Sequence, residues 1–189
     1  MKRSGFDRLR RKFIDDRRGG VMIEFAFIMP VLVFVMLAGV DFVRFAMLQQ
    51  KLNRAAVTLA DVTSQYQSLS TTQVDQIFDA VANVIRPFPL GPNGQVIITS
   101  VSKTGTNPVV VDWQRFGPGT APAVSKLGVA GANATLPAGF IVKTGESAIV
   151  AEVFYDFTPL LISQLLPPRR VEHSAIFRPR FDALSTLSP

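Results

Sequence analysis

The sequence predicts an α+β fold: a long N-terminal helix and a second, shorter helix packed on a small antiparallel sheet. Three observations predict it. A twenty-residue apolar run, Val21 to Val40, passes without a break into a stretch of helical periodicity. A shorter amphipathic segment follows, starting at Ser70 or Thr71 and running to about Ile85. Beyond Pro87 the pattern changes to short alternating segments bounded by glycine and proline, as strands and turns require. A helix and a sheet that each carry an apolar face bury those faces against one another.

Residues 1–19 form a basic leader. It holds Lys2, Arg3, Arg8, Arg10, Arg11, Lys12, Arg17 and Arg18 against Asp7, Asp15 and Asp16, and so carries five of the six net positive charges of the 189-residue chain. The remainder is nearly neutral and has no basic stripe of the kind that tracks phosphates, so nucleic acid is not an expected partner. The chain has no cysteine. Disulfides, zinc–thiolate sites and thiol nucleophiles are thereby excluded, and no cofactor is expected.

Val21–Val40 contains one charge, Glu24. At 1.5 Å per residue the run spans roughly 30 Å, the thickness of a bilayer's hydrocarbon core. It reads as a single membrane span, with lipid as its first partner. Arg17 and Arg18 stand directly before it, so the positive-inside rule places the N-terminus in the cytoplasm and the C-terminal domain across the membrane. A secretory signal is the nearest competitor, but its apolar region is shorter and Gly39-Val40-Asp41 is a poor cleavage site. Glu24 lies four residues inside the run. Ionisable groups at such depth are functional candidates, the alternative being that Glu24 reaches back to Arg17 or Arg18 at the interface. Pro30 removes the hydrogen bond to the Ala26 carbonyl, so a kink or local melting is expected there.

Past the membrane, Phe45, Leu48, Leu52, Ala55, Leu59, Val62 and Tyr66 recur at spacings of three and four. One helix of about 46 residues, roughly 70 Å long, is therefore expected over residues 20–66. Its stripe packs either on the chain's own domain or on a partner helix. Residues 67–189 are the exported α+β domain. Its strands are expected at Gln95–Lys103, Val109–Phe116, Ala148–Phe157 and His173–Phe181, the last confined to a sheet edge by Pro179. Residues 117–146, rich in glycine, proline and alanine, read as a long excursion.

Chemistry is sparse. His173 is the only histidine and cannot supply a metal cluster. Glu152 and Asp156 share a strand face about 13 Å apart at 3.3 Å per residue, too far for a glycosidase pair, and read as solvated charges. Arg178 and Arg180 share a face of the last strand and read as a solvated edge, the alternative being an acidic partner. Asn133-Ala134-Thr135 fits the glycosylation sequon, a pattern short enough to arise by chance. No nucleotide-binding, serine-hydrolase or zinc-protease motif is present, so an enzyme is not expected.

One constellation remains. Gly19-Gly20-Val21-Met22-Ile23-Glu24-Phe25 follows a basic leader and opens an apolar helix. It resembles the processing site of type IV prepilins in its Tad (tight adherence) form. The wider segment is similar to TadE-like pseudopilins, which share the Glu24-Phe25-Ala26 run, the Pro30-Val31-Leu32 run and charges after the helix, matched by Asp41 and Arg44. The stretches Val150–Leu161 and Phe177–Arg180 resemble the closing strands of the same family. The doubled glycine departs from the family pattern.

The resemblance implies a pilin-like fold and a minor pilin or pseudopilin that takes part in assembly of a Tad adhesion pilus. A prepilin peptidase would cut between Gly19 and Gly20, leaving Glu24 fifth in the mature chain, or after Gly20, leaving it fourth. Glu24, Phe25 and Pro30 would serve assembly, and Arg17, Arg18, Asp41 and Arg44 would flank the membrane. Other Tad pilins, major and minor, and an inner-membrane assembly platform would be partners. The alternatives are an uncleaved, single-pass periplasmic scaffold or binding protein, and an anchored hydrolase.

Overall fold

The computed structural model describes residues 19–163, 165–181 and 183–189; Arg17 and Arg18 lie outside the described residues. Helix α1 is continuous over Gly20–Ser64, 45 residues, with Pro30 inside it. The melting expected at Pro30 does not occur. A proline forfeits its own amide bond, and the turns on either side hold the helix through it. The helix stops two residues short of Tyr66, where the Ser64 hydroxyl donates to the Asp61 carbonyl at 2.7 Å.

A two-residue strand, β1 (Leu69–Ser70), leads into α2 (Thr71–Val84). Ser70 starts α2 with a reciprocal capping box: its hydroxyl accepts from the Gln73 amide at 3.2 Å, and the Gln73 side chain accepts from the Ser70 amide at 2.9 Å. A short turn at Gly91–Asn93 precedes β2 (Gly94–Ser102), β3 (Val110–Phe116), β4 (Ser147–Phe157), β5 (Arg169–Phe177) and β6 (Leu187–Ser188). The main sheet runs β3-β2-β4-β5, antiparallel throughout, while β1 and β6 pair in parallel. The fourth long strand is therefore Arg169–Phe177, four residues earlier than expected. It is an edge strand that ends before Pro179, which could not donate to the ladder.

The helical stripe packs on the chain's own sheet. Leu48, Leu52, Ala55 and Leu59 are fully buried against Val96, Ile98, Ile149, Ala151 and Val153, with Val74, Phe78 and Val81 of α2 closing the core. The other sheet face is covered too. Residues 117–146 cross it, and Val101, Val111, Val142 and Ala148 form a second small core there with Leu136 and Phe140. β4 is thus buried on both faces rather than half-buried, and Glu152 is not a solvated charge. It is 3% exposed, takes the Ser125 hydroxyl and accepts from the Lys126 amide at 2.9 Å. A buried carboxylate needs such donors.

The C-terminal tail closes the molecule. The Leu184 carbonyl accepts from Ser100 Oγ at 2.7 Å and from Trp113 Nε1 at 2.8 Å. Arg178 and Arg180 lie past β5 rather than on its face. Arg180 bonds Asp61 of α1 at 3.1 Å, and Arg178 bonds the Ile141 carbonyl at 3.0 Å.

Candidate membrane and assembly segment

α1 has two halves with different surroundings. From Val21 to Val35 every residue is exposed, and nothing in the most apolar window of the helix is buried by protein. From Leu48 to Ala60 one face is sealed in the core. The first half is long and apolar enough to cross a membrane, and an apolar surface bare all round needs a solvent other than water.

Gly19 precedes the first turn and Gly20 opens the helix, with nothing crowding either Cα. Glu24 sits four residues on, about 6 Å along the axis at 1.5 Å per residue, among the exposed Val21, Ile23, Phe25 and Ile28. Among the described residues no cation pairs with it. Phe25 and Pro30 lie on the same bare half.

Asp41 behaves differently. It is the first residue after the apolar run and is 3% exposed. Its carboxylate accepts three backbone N–H groups from the loop after β4: Leu160 at 2.9 Å, Leu161 at 2.8 Å and Ile162 at 3.0 Å. Arg44 approaches it at 3.4 Å. The aspartate read as a flanking charge is therefore a clamp between α1 and the β4–β5 connection. The sequence carried a signal for it: Leu160, Leu161, Leu165 and Leu166 cluster in a connection where polar turn residues are the norm.

Just above the clamp, α1 and the sheet are joined by aromatic and cationic contacts. Phe45 meets Phe157 edge to face at 5.3 Å between centroids, the Arg169 guanidinium lies 5.0 Å from the Phe45 ring, and Arg44 lies 5.9 Å from Phe157. Higher still, His173 contacts Gln49 of α1. Burial pushes its imidazole below the usual range, and Glu172 opposes that more weakly. Asp156 forms a two-pronged pair with Arg170, each contact 2.7 Å. That pairing holds the Asp156 carboxyl below the usual carboxylate range against the opposing effect of burial. His173 lines a small open pocket at the β5 edge with Lys126, Glu152 and Glu172, but the Glu152 oxygens are already taken by the Ser125 hydroxyl and the Lys126 amide.

Residues 19–61 match the family model for TadE-like protein. The chain carries a TadE-like segment. The match takes in Gly19, Gly20, Glu24, Phe25, Pro30, Asp41 and Arg44 and runs on into the packed half of α1. It covers well under half of the chain. No curated protein and no solved structure matches the chain.

Proposed function

We propose that this TadE-like chain is a non-enzymatic minor pilin or pseudopilin, processed by a prepilin peptidase and used in assembly of a Tad adhesion pilus. The observation that carries this reading is the bare half of α1, with Glu24 one turn from Gly20 and a rigid continuation into the domain core. Cleavage after Gly19 would create an α-ammonium at the helix start and discard a leader holding five net positive charges. Both an unpaired amine and an unpaired carboxylate are costly at the edge of a bilayer, and each offsets the other. The Glu24 carboxylate meets the N-terminal amine of a neighbouring subunit in this reading. Phe25 and the side chains around it then exchange lipid contacts for contacts with other pilin helices. Pro30 serves the same surface.

The leader keeps the N-terminus cytoplasmic until it is removed, and the domain lies in the periplasm. An inner-membrane assembly platform would extract the processed chain, because losing the leader removes the charge that resists movement across the bilayer. Intact mass and N-terminal sequencing of membrane-derived protein, with and without the peptidase, test the reading. A mature chain beginning at Gly20 is expected. An unchanged full-length chain in both samples would refute processing and favour a permanently anchored periplasmic scaffold.

A further inference from the structure

The β4–β5 connection, residues 158–168, lies at the membrane-facing end of the domain, because β4 ends with Phe157 against Phe45 and β5 begins with Arg169 over the same ring. Asp41 holds this connection to α1 at the point where the apolar run ends. Four leucines project from it into solvent: Leu160 is 64% exposed, Leu161 44%, Leu165 67% and Leu166 47%. The neighbouring helix surface is apolar as well, with Val40, Phe42 and Val43 exposed. The leucines therefore extend the bare surface of α1 outward from its side.

Several amides of this connection are already occupied. The amides of Leu160, Leu161 and Ile162 donate to Asp41, and those of Leu165 and Leu166 donate to the Ile162 carbonyl at 2.9 and 3.0 Å. Pro159, Pro167 and Pro168 have no amide hydrogen to satisfy. Each occupied amide lowers the cost of placing non-helical backbone near membrane depth. Arg44 and Arg169 lie against the Phe157 and Phe45 rings at this same end of the domain, cations of the kind that meet phosphate headgroups.

We propose that this leucine loop inserts into the outer leaflet of the same bilayer that α1 spans, so that the domain rests on the membrane at two points instead of swinging on one helix. This rests on the membrane reading of α1, and the test separates the two. Since the chain has no cysteine, single-cysteine variants can be labelled without a background. Full-length Leu165→Cys, Leu32→Cys and Thr106→Cys chains would carry a bimane label in vesicles of phosphatidylethanolamine and phosphatidylglycerol. Iodide in the water and doxyl-labelled lipid serve as quenchers.

Leu32 reports the span, and Thr106 reports the β2–β3 turn at the far end of the sheet. The label at Leu165 is expected to lose iodide quenching and gain lipid quenching, as at Leu32, while Thr106 shows the reverse. Iodide quenching at Leu165 equal to that at Thr106, with Leu32 still lipid-quenched, would overturn the insertion alone. Water access at Leu32 would overturn both readings. Protection of Leu165 from both quenchers would overturn lipid insertion in favour of a protein neighbour over the loop.

Discussion

Two of the acids of α1, Glu24 and Asp41, stand in opposite surroundings. Glu24 is surrounded by exposed apolar side chains, and no described cation reaches it. Asp41, seventeen residues on, is buried and saturated by three amides and Arg44. Among the described residues, the same functional group is open in one half and closed in the other. A carboxylate with every acceptor position filled is a structural element, whereas one with no partner among the described residues, in an apolar field, is the candidate for the assembly contact proposed above. The difference extends to the whole helix: the half around Glu24 makes no contact with the fold, and the half beyond Asp41 supplies much of its core.

The largest expected contrast comes from truncating one leucine in each half. Leu52→Ala should destabilise the domain by about 2–5 kcal/mol, since a fully buried leucine loses both its transfer energy and its packing. Leu32→Ala should leave domain stability within about 0.5 kcal/mol, because nothing in the fold touches it. Denaturation in detergent, followed by the fluorescence of the single, buried Trp113, measures both. Equal losses would mean that the two halves are not energetically distinct.

Next come the acids themselves. Asp41→Ala orphans three amides and should cost about 1–3 kcal/mol by the same measurement, with Asp41→Asn milder because one oxygen still accepts. Glu24→Ala should leave domain stability unchanged while reducing pilus assembly, read as surface fibre abundance in cells. A stability loss at Glu24 comparable to that at Asp41 would erase the distinction drawn between them.

Most of this architecture was legible in the residues. The helix was visible because an unbroken apolar run and a three-four stripe both demand one, and a cap was readable at Ser70 or Thr71, between which the capping box with Gln73 decides for Ser70. What was not legible depended on contacts between distant segments. Glu152 looked solvated because its strand alternates, yet Val150 and Phe154 on the same face were the warning that something covers it. Asp41 looked like a flanking charge because its three donors lie about 120 residues away, in a loop whose own sequence offers no helix or strand pattern. The start of β5 at Arg169 was missed because Arg169 and Arg170 are polar. Only their pairing with Phe157 and Asp156 places them in the ladder.

The smallest effect concerns how firmly the packed half is held along its edge. His173 joins β5 to Gln49 of α1, and burial keeps its imidazole below the usual range. The unfolded chain then binds a proton more readily than the folded one. Stability from this group is fully present above the ordinary imidazole range near pH 6.5 and is lost as pH falls from there through the lower folded value. Asp156, whose carboxyl is also held down, acts in the same direction but only at the more acidic pH of carboxylates, so the two windows do not coincide. Domain stability in detergent should therefore decline modestly on acidification through the imidazole window, and His173→Gln should flatten that decline while leaving the more acidic one in place. An unchanged pH profile in His173→Gln would show that the contact between β5 and α1 does not depend on the protonation of this ring.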